Sequence, residues 1–112
     1  MIIGLISCCK LKNTSKCKAK DMYISPWFKK GYEYLSNRCD KIYIMSAKYG
    51  LLSTETIISP YQQTLLKMNK HQRKRWSYEL LQDLKKTTDL FNDTFIILGG
   101  GKIYRIYLSK DT

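Results

Sequence analysis

Three apolar runs, each cut off by small residues and a lysine, organise the chain. Lys41 to Met45 is β-branched and aromatic with one charge at its start, and Met1 to Ile6 and Thr94 to Leu98 have the same apolar character. Short runs of this kind predict strands buried on both faces, as in a parallel sheet. The first run in the chain breaks into Ser7-Cys8-Cys9-Lys10-Leu11-Lys12, the second into Ser46-Ala47-Lys48-Tyr49-Gly50, and the third into Gly99-Gly100-Gly101-Lys102. Ligands of open α/β sheets bind just past the carboxyl ends of the strands. If the three strands lie parallel and adjacent, all three breaks meet at one edge and form one basic pocket rich in hydroxyls and thiols.

Between the runs the period changes to that of helices. Ser25-Pro26 pairs a favoured N-cap with the residue favoured at the first helical position; Phe28, Tyr32 and Leu35 form the apolar stripe, and Asn37 ends it. Asn69 is the expected cap of a second helix over Lys70 to Lys86, with Trp76, Leu80, Leu81 and Leu84 inward and Arg73, Lys74, Arg75, Lys85 and Lys86 outward. Asn13 to Asp21 shows no period and is expected to be a loop, either closing over an anion with its lysines or simply solvated. Ser53 to Leu66 is expected to be irregular, with a turn at Ser59-Pro60 and with Pro60 to Leu65 packing back over the pocket. Tyr23 either staples the first helix or points into that pocket. The whole predicts a three-layer, Rossmann-like α/β fold, a single small domain over residues 1–112, with about three to four strands in a short parallel sheet joined by right-handed crossovers. The glycines after the third strand precede a short helical pattern, and so brief an ending suggests a minimal version of a larger fold.

Charge narrows the partners. Twenty Lys and Arg against nine Asp and Glu leave a net charge of +11, and a field of that sign attracts polyanions, nucleic acid first. An A-rich coding sequence is the other source of so many lysines. Cys8, Cys9, Cys17 and Cys39 show neither C-x-x-C spacing nor a histidine pair, so no metal and no cofactor is expected. Met1 leads straight into strand residues without a basic leader, which points to reduced thiols in the cytoplasm, and no apolar run approaches the length of a membrane span. The sole histidine, His71, is read as a surface residue.

Five blocks in order carry a resemblance: Ser7-Cys8-x-Lys10-x-Lys12; Asp21-x-Tyr23-x-Ser25-x-x-Phe28; Ser46-Ala47-Lys48-Tyr49-Gly50-Leu51; Pro60-Tyr61-x-x-Thr64-Leu65; and Gly100 with Tyr104. Together they resemble a small bacterial and phage family of unknown function whose signature reads S-C-x-K-x-K, then SAKxGL, then PYxxTL. The chain departs from it at Tyr49, where that family often has histidine, and in its shorter C-terminus. The first block is also similar to a segment of the archaeosine synthase family, P-C-S-x-x-K, in which a lysine attacks a deazaguanine base in tRNA. More loosely the arrangement resembles deglycosylase-like α/β domains. These resemblances imply chemistry on a base or nucleoside.

The residues admit that chemistry. Lys48 and Lys10 are candidates for phosphate binding or, if desolvated, for nucleophilic attack. Asp21 is the better placed of two nearby carboxylates for N-glycosidic cleavage, and Ser46 completes the expected catalytic set. Cys8, beside two lysines, is either a reactive thiol or a small buried apolar group. Ser7, Lys12, Tyr23, Ala47, Gly50, Gly99 and Gly100 are expected to line the nucleotide site, and Tyr49, Tyr61 and Tyr104 to offer faces for base stacking. Three functions follow: an enzyme acting on a base or N-glycosidic bond by deglycosylation or base exchange; a catalytically inert nucleic-acid or nucleotide binder, phage-borne and directed against a host system; or a module for an acidic protein partner.

Overall fold

The computed structural model describes residues 1–99. The elements run β1 (Ile2–Ser7), β2 (Cys17–Lys18), α1 (Ala19–Met22), α2 (Pro26–Ser36), β3 (Lys41–Ser46), β4 (Gly50–Ser53), β5 (Ile57–Ile58), a 3-10 turn (Leu65–Lys67), α3 (Lys70–Thr87) and β6 (Thr94–Leu98). The main sheet has the order β4-β3-β1-β6. β1 lies at the centre, parallel to β3 (Ile3↔Lys41 through Ser7↔Met45) and to β6 (Ile2↔Thr94 through Ile6↔Leu98). The carboxyl ends of all three apolar runs therefore share one edge, the upper edge of the sheet.

Alternation along the strands divides two cores. Ile6 and Ile44 face α2 in a cluster with Phe28, Leu35, Met22, Tyr23 and Tyr61, while Ile3, Leu5 and Met45 face α3 in a cluster with Trp76, Leu80, Leu81 and Leu84. Each such aliphatic or aromatic side chain stabilises the fold by about 1.5–3 kcal/mol when buried, and a central strand buried on both faces needs a helix over each. Both helices start where their caps dictate. Ser25 accepts the Phe28 N–H at 3.1 Å, and Asn69 exchanges two hydrogen bonds with Gln72 in a capping box.

Three expectations are corrected. The fold is α/β as expected, with a four-stranded, mostly parallel sheet, but one edge strand departs: β4 runs antiparallel to β3, with Ser46 opposite Gly50. The segment Ala47-Lys48-Tyr49 is a hairpin turn, closed because Ser46 Oγ accepts the Lys48 and Tyr49 N–H groups at 3.2 and 3.0 Å and because Gly50 adopts φ +73°, which a side chain disfavours. Asn13 to Asp21 is not a plain loop, since Cys17–Lys18 pairs with Ile57–Ile58 and Ala19 starts a helical turn. Ser53 to Leu66 contains β5 and the start of the 3-10 turn for the same reason. Two-residue strands carry no period and are invisible until their partner is known. None of the described helices is long and apolar enough to cross a membrane.

Candidate active site

Three buried hydroxyls meet at the upper edge. Tyr61 Oη lies 2.6 Å from Tyr23 Oη and 2.8 Å from Ser46 Oγ. Tyr23 arrives from the end of α1, where Lys12 bridges it; Ser46 ends β3; Tyr61 reaches back from the segment after β5. Ser46 is pinned once more, since its carbonyl accepts the indole N–H of Trp76 at 2.9 Å.

Hydrogen-bond accounting gives the trio a direction. Ser46 Oγ already accepts two backbone N–H bonds, which occupy its two lone pairs, so its own O–H donates to Tyr61. The Tyr23–Tyr61 link uses one phenolic proton in either orientation. Three hydroxyl protons serve two links, and one phenolic proton is left to donate outside the trio. Burial pushes both phenols well above the usual tyrosine range, Tyr61 further because Cys8 and Tyr23 also oppose its charge. Both tyrosines are therefore neutral donors at neutral pH.

A lysine covers the trio. Lys12 Nζ stands 4.4 Å from the Tyr61 ring centroid and within 3.5 Å of the Lys10 carbonyl. Burial pulls the Lys12 ammonium below the usual lysine range, with Cys8 and Cys9 opposing. Tyr49 meets Tyr61 edge-on at 5.5 Å. Cys8 and Ala47 are buried at the trio's side, in the α2-facing cluster, and Ser7 is buried where β1 ends.

The structure divides the expected site residues. Ser7, Cys8, Lys12, Tyr23, Ser46, Ala47, Tyr49, Gly50 and Tyr61 come together at one edge, and Gly99 follows β6 on the same edge. Gly100 and Tyr104 lie outside the described residues. Lys48 and Lys10 are exposed, Lys48 over the Tyr49 ring at 5.2 Å. Asp21 is exposed on α1, where its charge acts on the Cys17 thiol. Tyr61 is 8% exposed with Lys12 over its ring, so a base stacks on that face only if Lys12 moves. Of the loop lysines, Lys18 and Lys20 pair with Glu55 at 3.5 and 3.8 Å. Lys12, grouped with the anion-binding loop in the sequence, is the half-buried lysine that stands over the buried trio. Its proximity to Tyr61, 49 positions away, had no local signal.

The chain matches the model of DUF6884, described as a family of unknown function, over residues 3–112. It belongs to that family. No curated protein and no solved structure matches it. In this DUF6884 member the hydroxyl trio and Lys12 draw on four of the five sequence blocks, the first through Lys12, the second through Tyr23, the third through Ser46 and the fourth through Tyr61. An open cleft of about 490 Å³ lies at the opposite edge, lined by Tyr32, Cys39, Asp40, Lys41 and Ser53 among others. Its one carboxylate, Asp40, is taken by the Ile2 N–H at 2.7 Å, and the cleft does not reach the trio. Among the described residues no group of three or more His, Cys, Asp or Glu converges to hold a metal.

Proposed function

We propose that this DUF6884 protein is an enzyme acting on a nucleobase at its N-glycosidic bond, with Lys12 as the nucleophile and the Tyr23–Tyr61–Ser46 trio as the proton donor. One observation carries the reading: Lys12 Nζ stands over the Tyr61 ring of a buried hydroxyl relay that holds one proton in surplus, and partial burial there destabilises its ammonium. In the proposed step the Lys12 amine attacks the sugar C1′, the C1′–N bond breaks, and the base leaves with the electron pair. The trio's spare phenolic proton goes to the departing base, and the ammonium formed on Lys12 returns a proton to the phenolate. Water then releases the sugar, or a second base replaces the first. The similarity of the first block to the lysine segment of archaeosine synthase supports the same class of chemistry.

Opening of the sugar on Lys12 gives an imine, which borohydride reduces to a permanent bond. The test is mass spectrometry of protein incubated with nucleosides and oligonucleotides in the presence of borohydride. An adduct that maps to Lys12 and disappears in Lys12→Ala is the expected result. An adduct that survives Lys12→Ala, or the absence of adduct and released base with every substrate, overturns it. Lys48 and Lys10, exposed at the strand ends, then act in binding, and Asp21, exposed on α1, takes no part in the step. The second reading, a catalytically inert nucleic-acid binder, is favoured by the net charge of +11 and predicts binding with no product.

A further inference from the structure

The rim around the trio has a composition of its own. Lys48 lies in the β3–β4 turn, and Lys67, Lys70 and Lys74 lie where the 3-10 turn passes into α3; all four are exposed. They share a corner because Trp76, early in α3, donates to the Ser46 carbonyl at 2.9 Å, and because Arg73 binds the Leu65 and Leu66 carbonyls at 2.9 and 3.2 Å. None of the four lysines pairs with a carboxylate among the described residues, whereas Arg75 pairs with Glu79. Asp40, Asp89 and Asp93 lie instead at the opposite edge, where Asp40 holds Ile2 and Asp93 holds the N-terminus.

Two exposed aromatic rings lie at the same edge as these lysines. Tyr49 is 38% exposed in the turn, and Trp27 is 42% exposed in the first turn of α2. That helix starts at the upper edge because the Ile24 N–H bonds to the Leu11 carbonyl at 3.1 Å. Cations that follow a phosphate backbone, interleaved with rings on which any base can stack, suit single-stranded nucleic acid. A duplex keeps its bases stacked on one another and presents only phosphates to such a rim. Lys70 and Lys74 stand one helical turn apart, about 6 Å along the axis, wider than the phosphate of one nucleotide.

We propose that the upper edge binds single-stranded nucleic acid, with Trp27 and Tyr49 as stacking platforms and Lys48, Lys67, Lys70 and Lys74 on the backbone. This names the substrate of the site described above and rests on that reading for the fate of the base, while the binding itself stands apart from it.

The test is fluorescence anisotropy with labelled oligothymidylate and oligouridylate of about 12 nucleotides, within the range of one such site, and with a duplex of equal length, across a salt series. The single strands bind more tightly than the duplex. Trp27→Ala weakens single-strand binding about tenfold and Trp27→Phe restores most of it, as stacking on one ring requires. The double variant Lys70→Gln/Lys74→Gln flattens the slope of log affinity against log salt by about 1.4. Emission from Trp76 confirms that each variant is folded. Tighter binding of thymidylate or of uridylate tells DNA from RNA, and either supports the rim. Equal affinity for duplex, an unchanged Trp27→Ala, or no binding of either strand overturns it. Strand binding without a borohydride-trapped adduct removes the catalytic reading and keeps the rim; an adduct from nucleosides without strand binding does the reverse.

Discussion

In the proposed reaction Lys12 and Tyr61 carry the chemistry, and each predicts a measurement. Burial lowers the Lys12 ammonium from its ordinary value of 10.5, so the rate of adduct formation rises with pH along an acid limb whose midpoint lies below 10.5; Lys48→Ala leaves that midpoint in place, and a midpoint at the ordinary lysine value contradicts the role of burial. Tyr61 shifts the other way. Its folded form keeps the proton at pH values where the unfolded chain, at about 10 for an ordinary phenol, has released it. The stability from its burial is therefore complete below pH 10 and is lost as pH rises beyond it. Alkaline unfolding followed by circular dichroism should be shallower in Tyr61→Phe than in the parent. At neutral pH the same substitution costs about 1–3 kcal/mol, because the Ser46 O–H loses its acceptor in a buried site.

Elements hold these residues in place through two devices, a turn and a cap. The β3–β4 turn depends on Gly50 at φ +73°. A Cβ there meets nothing within 4 Å, so Gly50→Ala isolates backbone strain and should lower stability by about 1–2 kcal/mol in urea unfolding; a neutral result would show that the turn relaxes. α3 depends on Asn69, whose side chain accepts the Gln72 N–H at 2.9 Å. Asn69→Ala should cost about 1 kcal/mol. The same helix start carries the proposed rim lysines Lys70 and Lys74, so single-strand affinity should fall with fraying of that turn even at temperatures where the core stays folded.

Across the whole molecule lysines occur at both edges, whereas Asp40, Asp89 and Asp93 lie at the lower one. A net charge of +11 on 112 residues repels itself. Raising salt from about 0.02 to about 0.2 M shortens the Debye length from about 20 to about 7 Å, which screens all but the nearest lysines from one another, and the thermal midpoint should rise. The same salt should weaken the proposed single-strand binding. A midpoint that falls with salt would mean that surface ion pairs such as Lys18–Glu55 and Lys20–Glu55, at 3.5 and 3.8 Å, outweigh the repulsion.

The sequence by itself determined the three parallel strands, the two long helices, their caps and the edge at which the apolar runs end. Those features are written in periods of two and 3.6 and in cap residues, and they depend only on near neighbours in the chain. Tertiary structure decided the rest. The antiparallel β4 follows from a turn whose closure needs both Ser46 Oγ and Gly50, and the β2–β5 pair joins residues about 40 positions apart with two residues on each side. The choice among the lysines was likewise decided in space. Lys10, Lys12 and Lys48 read alike as strand-end lysines, and only burial against Tyr61 separates Lys12 from the others, because desolvation depends on what the fold places around a charge.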